Sequence, residues 1–156
     1  MKLQNDVGRS CGGCNACCKT FPVPEVGKQD SAMCKHCDIG VGCKIYDSRP
    51  DACKLFACMW LNGTGGDSFR PDRLGVMLDC QDRKIGEREI GLLHFWEMRK
   101  GALEQPMIRT MAERNKDIGF VVVFHYMVGD NNYDSRYQIR KRLFSDEEVR
   151  QITQTR

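Results

Sequence analysis

Hydrophobic and polar residues follow a regular pattern only in the later part of the chain. After residue 61, short apolar runs are separated by turn-forming residues. The run FVVVFHYMV at 120–128 is β-branched and aromatic, and its near-continuous apolarity predicts a central strand that is buried on both faces. The runs at 74–80 and 89–98 predict two more strands.

Two helices and a fourth strand are predicted around the central run. Pro106 can occupy the first turn of a helix that runs to about Asn115. After a turn at GDNN, the segment Tyr137–Phe144 predicts a half-exposed strand, and SDEE at 145–148 is a capping box that opens a short C-terminal helix. The order strand, strand, helix, strand, strand, helix predicts an α+β fold with a small, mostly antiparallel sheet.

The first 61 residues have no such periodicity and are instead rich in cysteine. We predict an irregular cysteine-rich metal module at 1–61, packed as one compact unit with an α+β lobe at 62–156. The apolar residues expected to join the two parts are Phe56, Met59, Trp60 and Leu61. Nine of the ten cysteines belong to the module: Cys11, Cys14, Cys17, Cys18, Cys34, Cys37, Cys43, Cys53 and Cys58.

Composition and charge exclude several classes of function. The chain has 156 residues, 41% of them hydrophobic and 29% charged, which is ordinary for a globular protein. No apolar run is long enough for a transmembrane helix, and MKLQNDVGRS lacks the apolar core of a secretory signal, so we expect a cytoplasmic protein. A net charge of +3 is too small to indicate nucleic acid, and the basic run at 140–142 is interpreted as an exposed surface.

Disulfides explain the clustered cysteines poorly. The expected cytoplasmic location disfavours structural disulfides. A bond between the adjacent Cys17 and Cys18 would also strain the backbone, because neighbouring Cα atoms lie about 3.8 Å apart, below the usual disulfide range. Metal binding fits better: CGGC at 11–14 and CKHC at 34–37 are C-x2-C turns that bring two thiolates onto one ion, and Gly12 and Gly13 allow the first to be tight.

Nine thiolates exceed what one zinc ion can bind, so we expect two or more ions. Cys17 and Cys18 cannot easily chelate the same ion, because adjacent side chains diverge. We expect either that they bind different ions or that one binds a metal and the other packs within the protein. Iron remains an alternative, as free iron or as an iron–sulfur cluster. Cys11, Cys14 and Cys17 match the first three positions of a ferredoxin run, and a remote cysteine such as Cys53 could supply the fourth ligand.

Residues between the cysteines are expected to support the metal. Thiolate clusters are anionic, and Arg49 is the residue expected to compensate this charge, with Tyr46 beside it. Pro50 and Asp51 predict the start of a helix that runs to Leu61. Cys53 and Cys58 would then lie about 140° apart on the helix and need not bind the same ion.

The sequence contains no catalytic motif apart from its thiols. His94 and His125 lie in apolar strands. We interpret them as core or edge histidines with one hydrogen bond, which is simpler than a role as ligands or acid–base groups. His36, in the middle of a C-x2-C turn, is expected to be exposed, and Cys80 is expected to be a structural thiol. Whether the protein is an enzyme is left open by these residues.

The cysteine spacing resembles a known family. CGGCNACC, the later C-x2-C and GCKIYDSRPDACKLFACMWL are similar to the bacterial CxxCxxCC (YkgJ-type) proteins, which are described as zinc- or iron-chelating. The resemblance covers residues 11–61 and, more loosely, FRPDRLGVML at 69–78, and it implies that the nine cysteines of the module are the ligands. We therefore predict a zinc-binding protein with a structural, metal-handling or accessory role, whose partners are metal ions and a protein. An iron–sulfur or iron-dependent redox or modification enzyme is the alternative.

Overall fold

The computed structural model describes residues 8–130 and 132–154, and it has an α+β fold, as predicted. Two antiparallel two-residue strands form a small hairpin in the first part of the chain, and four strands form the main sheet. In chain order the helices and strands are α1 (Ala16–Thr20), β1 (Cys37–Asp38), β2 (Gly42–Cys43), α2 (Asp51–Leu55), α3 (Pro71–Leu74), β3 (Val76–Ile85), β4 (Arg88–Glu97), α4 (Pro106–Asp117), β5 (Val121–Met127), β6 (Tyr133–Gln138) and α5 (Asp146–Gln154).

The main sheet has the strand order β3-β4-β5-β6, and one of its three pairings is parallel. Strands β3 and β4 are antiparallel, as are β5 and β6, whereas β4 and β5 run in the same direction with α4 between them in the sequence. Parallel neighbours need such a crossover connection, and a helix is its usual form. The central position predicted for the 120–128 run is confirmed, since β5 lies between β4 and β6.

Both faces of the sheet are covered, because successive side chains on a strand point to opposite faces. On one face, Leu93 and Phe95 of β4 belong to a core that includes Ile108 and Ala112 of α4. On the other face, Ile90 and Leu92 belong to a second core with Ile152 of α5. The continuous apolar runs of β4 and β5 are therefore explained by burial on two sides.

Three of the predicted elements require correction. The strand expected at Tyr137–Phe144 is wrong: β6 spans Tyr133–Gln138, and Lys141–Leu143 form a 3-10 turn. The helix expected to reach Leu61 ends at Leu55. The strand expected to start at Leu74 starts at Val76, because Leu74 closes α3 before Gly75, which has a left-handed φ of 77°.

The other predicted elements agree with the structure. Strand β4 and helix α4 lie within two residues of their predicted ends. The capping box is present, since the Glu148 N–H donates to Ser145 Oγ (3.2 Å) and the Ser145 N–H donates to Glu148 Oε2 (2.7 Å). The predicted GDNN turn includes residue 131, which lies outside the described residues.

The cysteine-rich segment contacts the sheet at two places. The Met59 N–H donates to the Leu78 carbonyl of β3 (2.9 Å), and the Met59 side chain packs on the core beneath α4. At the other place, Lys19 Nζ at the end of α1 lies 3.3 Å from Met127 Sδ and above the Tyr133 ring. Phe56, which was expected to join the two parts, packs instead on Phe21 within the module (4.6 Å between ring centroids). None of the helices in the described ranges is long and apolar enough to cross a membrane.

Candidate metal centre

Eight of the nine clustered cysteines line one cavity of about 390 Å³. They come from segments far apart in the sequence, and Cys37 is the one cysteine of the cluster that does not line the cavity. All nine are free thiols, and each is partly exposed. Cys80, the tenth cysteine, is exposed on β3. The structure thus gathers the residues that the sequence singled out and leaves Cys80 outside.

Two C-x2-C turns support the thiols. The Cys14 N–H donates to the Cys11 carbonyl (2.9 Å), and the Cys37 N–H donates to the Cys34 carbonyl (3.0 Å). Cys37 also pairs with Cys43 across the β1–β2 hairpin. These hydrogen bonds fold each C-x2-C segment back on itself. Both cysteines of the first turn line the cavity, whereas only Cys34 of the second turn does.

The first C-x2-C turn touches the tip of the β1–β2 hairpin through glycines. A Cβ atom placed on Gly13 would lie 2.6 Å from the Gly40 carbonyl oxygen, so only glycine fits at this contact. Gly12 has a left-handed φ of 51°, which favours glycine on backbone grounds. The Gly40 N–H also donates to Asn15 Oδ1 (2.6 Å). The contact therefore fixes the first C-x2-C turn against the tip of the β1–β2 hairpin.

A first group of thiols forms around the beginning of the cluster. Burial and, to a smaller extent, negative charge at Cys11 and Cys14 together raise the pKa of Cys58 to about 11. A hydrogen bond with Cys18 holds the pKa of Cys17 well above its usual range, and burial and the charges of Cys11 and Cys14 act in the same direction. We call Cys11, Cys14, Cys17 and Cys58 the N-terminal set.

A second group forms around the hairpin. Burial and interactions with Cys18 raise the pKa of Cys37 to about 12, with smaller contributions from the charges of Cys34 and Cys43. Burial also raises the pKa of Cys53, with contributions from Cys18 and then from Cys34 and Cys43. We call Cys34, Cys37, Cys43 and Cys53 the hairpin set. Cys53, named from the sequence as a candidate fourth ligand for Cys11, Cys14 and Cys17, interacts instead with this set, and Cys58 takes the place beside Cys11 and Cys14.

Cys58 reaches the N-terminal set because the chain leaves the helical conformation after α2. Leu55 ends α2, and Phe56 is extended with φ −77° and ψ 129°. Beyond the helix, the Asn62 N–H donates to the Cys58 carbonyl (3.1 Å). Cys53 therefore lies on α2 and Cys58 lies beyond its end, so the 140° separation expected on a continuous helix does not apply.

Arg49 lies at the wall of the cavity beside Tyr46, and both residues had been expected to support the cluster. The guanidinium group stacks 3.7 Å from the centre of the Tyr46 ring. Its charge opposes the effect of burial on the pKa of both Cys11 and Cys53, one thiol from each set. Arg49 Nε is buried and has no hydrogen-bond partner, so its N–H group is free to donate to a sulfur of the cluster.

Further residues around the cavity were missed by the sequence analysis. The Trp60 ring has two cations beside it, with Arg9 at 5.1 Å and Arg70 at 5.8 Å from its centroid. Arg70 also donates to the Cys11 carbonyl (3.0 Å), and Lys28 lines the cavity with an ammonium group whose pKa is lowered by burial. Nothing in their sequence spacing distinguishes these residues from surface cations, because their role depends on the tertiary fold.

The thiols are gathered without being closed around a point. Among the described residues, no group of three or more His, Cys, Asp or Glu side chains is arranged to hold a metal ion. The kind of donor nevertheless suits a soft metal, since the cavity offers thiols almost exclusively, with cations at its wall. The raised pKa values of Cys11, Cys17, Cys37, Cys53 and Cys58 mean that these groups must lose protons before they can act as ligands.

The two strand histidines lie away from this cavity. His94 and His125 are buried and hydrogen-bonded to each other, and His125 has a second partner in Ser135. Their interpretation as core histidines therefore fits better than a role as ligands of the cysteine cluster. His125 makes two hydrogen bonds, one more than expected for such a histidine.

Comparison with known proteins yields no relative: no family model, no curated protein and no solved structure matches this chain. The class of the site is therefore argued from its own residues.

Proposed function

We propose that this protein binds metal ions through its clustered cysteines, with zinc as the metal and two ions or more in the chain. The observation that carries the proposal is one cavity that gathers eight of the nine clustered thiols, together with the contact of the ninth, Cys37, with Cys18. Apart from Cys18, these thiols divide into the two sets of four sulfurs. Four thiolates are the complete ligand set of a structural zinc ion. Because both sets can be filled by protein sulfur alone, the ions have a structural or metal-handling role.

Metal binding would draw the thiols of each set together. Zinc–sulfur bonds are about 2.3 Å long, so the four sulfurs of a set must converge on the ion. Cys11 and Cys14 of the first turn already line the cavity together, and Cys58 and Cys53 line it from the segments around α2, whereas Cys37 would have to turn towards the ion. Arg49 then lies near both anionic centres, where its unpaired Nε can donate to sulfur.

Elemental analysis of the full-length chain tests the proposal. Protein purified without oxygen is expected to be colourless and to contain about two zinc ions per chain. Cys14→Ser and Cys43→Ser each remove one sulfur from one set and are expected to lower the zinc content, whereas Cys80→Ser is the matched control outside the cluster. Metal-free protein that keeps the same fold and thermal stability would contradict the proposal.

Iron is the second candidate, and one observation favours it. Cys11, Cys14 and Cys17 have the spacing of the first three ligands of a ferredoxin run, and Cys58 interacts with Cys11 and Cys14 as a remote fourth ligand would. Brown anaerobic protein that contains iron and acid-labile sulfide would establish this alternative. Zinc alone, in protein from iron-replete cells, would exclude it.

A further inference from the structure

Cys18 is the one cysteine of the cluster that contacts both sets. Its thiol is hydrogen-bonded to Cys17 of the N-terminal set and to Cys37 of the hairpin set. It also interacts electrostatically with Cys11 on one side and with Cys53 on the other. The sulfur of Cys18 therefore lies between the two groups.

The backbone holds Cys18 in this position from both sides. Its N–H donates to the Asn15 carbonyl (3.0 Å), and its own carbonyl accepts a hydrogen bond from the Cys34 N–H (3.0 Å). The hydrogen bond from the Gly40 N–H to Asn15 Oδ1 adds a second link between the start of α1 and the hairpin. The central location of Cys18 is thus a consequence of how the two C-x2-C turns are joined.

Of the nine clustered cysteines, Cys18 is the one that belongs to neither set of four. The N-terminal set and the hairpin set have four sulfurs each, which is the full requirement of two tetrahedral ions, so the ninth thiol is not needed to complete either one. A thiolate sulfur has enough lone pairs to bind two ions at once. Cys18 adjoins a member of each set, so its sulfur is placed to bind both ions.

We propose that Cys18 bridges the metal ions of the two sets, so that they form one linked centre rather than two independent sites. This inference rests on the metal-binding function proposed above. To keep each ion tetrahedral, Cys18 takes the place of one sulfur in each set, and its hydrogen-bonded neighbours Cys17 and Cys37 are the sulfurs it replaces. Loading one ion then positions a ligand of the other.

The test is cadmium-113 NMR of the full-length chain loaded with that isotope in place of the native metal. Cadmium, like zinc, is bound by thiolates, and a shared sulfur transmits nuclear spin coupling between two cadmium ions. We expect two resonances from the wild-type chain, each split by the other. In Cys18→Ser, Cys17 and Cys37 complete their sets, so two cadmium ions are expected to remain while the splitting disappears.

Control variants and contrary outcomes separate this inference from the proposed function. Cys17→Ser keeps the bridge and is expected to retain both resonances and their splitting, as is Cys80→Ser. Two unsplit wild-type resonances, a single bound cadmium ion, or splitting that persists in Cys18→Ser would each overturn the bridge. A wild-type chain that binds no cadmium would instead refute metal binding itself, and the wild-type spectrum decides the matter even if Cys18→Ser fails to fold.

Discussion

His94 Nδ1 and His125 Nε2 lie 2.8 Å apart on the sheet face that α5 covers, so the two imidazole rings share one hydrogen bond. The strands that carry them are parallel neighbours, and both rings are buried. At its outer side, His125 Nδ1 lies 2.7 Å from Ser135 Oγ on β6. A proton added to either ring would have to be accommodated at a buried site beside a second imidazole, and the charge of Asp79, paired with His94 across β3 and β4, offsets the cost of burial only in part.

We expect this pair to make the fold sensitive to acid. Burial lowers the pKa of His94, and burial together with the His94 charge lowers the pKa of His125 to about 3. An unfolded histidine titrates near ~6.5, so as the pH falls below this value the unfolded chain takes up protons that the native state does not. The free energy of unfolding should therefore decrease between about pH 6.5 and pH 3, by about 1 kcal/mol per pH unit for each histidine that stays neutral.

Urea unfolding at a series of pH values measures this effect. His125→Gln is expected to reduce the pH dependence, while His36→Gln, in the cysteine-rich segment, is expected to keep it. Contributions from the cysteines are common to all three proteins, so the comparison isolates the strand histidine. Identical slopes in wild type and His125→Gln would contradict the prediction.

Gly13→Ala should damage the cluster without altering any thiol. The new methyl group would lie 2.6 Å from the Gly40 carbonyl oxygen and push the hairpin away from the first C-x2-C turn. Overpacking of this kind costs about 1–3 kcal/mol. Thermal unfolding and metal content measure the loss, and Gly66→Ala is the control, because its Cβ would have no neighbour within 4 Å and its φ is −93°. Equal effects of the two substitutions would show that the glycine contact is unimportant.

Arg49→Gln is expected to weaken metal binding by about 10–100-fold, the usual range for residues that support metal ligands. The substitution removes the charge that acts on Cys11 and Cys53 and leaves a side chain that can still reach Tyr46. Competition with a chelator of known affinity measures the change. Lys35→Gln, at an exposed position in the second C-x2-C turn, is the matched control. An equal loss of metal affinity in both variants would show that only the general surface charge matters.

Trp60 should report on the state of the cluster. Its ring lines the thiol cavity beside Arg9 and Arg70, whereas the other tryptophan, Trp96, lies in the main sheet and stacks on His125 (3.6 Å between ring centroids). Metal removal by a chelator is expected to change the tryptophan fluorescence in wild type, and the change should largely vanish in Trp60→Phe. A full response in that variant would assign the signal to Trp96.

The sequence was informative where burial alone decides structure. Strand β5 is apolar along most of its length because cores lie on both of its faces, and this pattern is visible without the fold. Strand β6 was misplaced because Tyr133–Gln138 is polar and owes its conformation to pairing with β5, whereas the apolar residues Ile139, Leu143 and Phe144 beyond it pack on the second core outside any strand. The parallel pairing of β4 and β5 likewise depends on how α4 packs, which local periodicity does not encode.

The cysteine cluster, like the sheet, could be predicted from the sequence only in part. Cysteine spacing was enough to select nine thiols and to expect that Cys17 and Cys18 have different surroundings. The assignment of Cys58 rather than Cys53 to the N-terminal set depends on where α2 ends, and α2 is too short for periodicity to fix its end. Arg49 could be selected because it stands between cysteines in the sequence, whereas Arg70 comes from a segment beyond the module.

The hydrogen bond from the Met59 N–H to the Leu78 carbonyl has a consequence for self-association. Strand β3 is at the edge of the sheet, and it pairs with β4 on one side only. Unpaired strand edges recruit strands of other chains, and natural proteins cover them. Here the segment that follows the cysteines provides that cover near the start of β3. A chain that loses the order of its cysteine-rich segment would therefore expose a sheet edge, and aggregation would be the visible sign of a defect at the thiols.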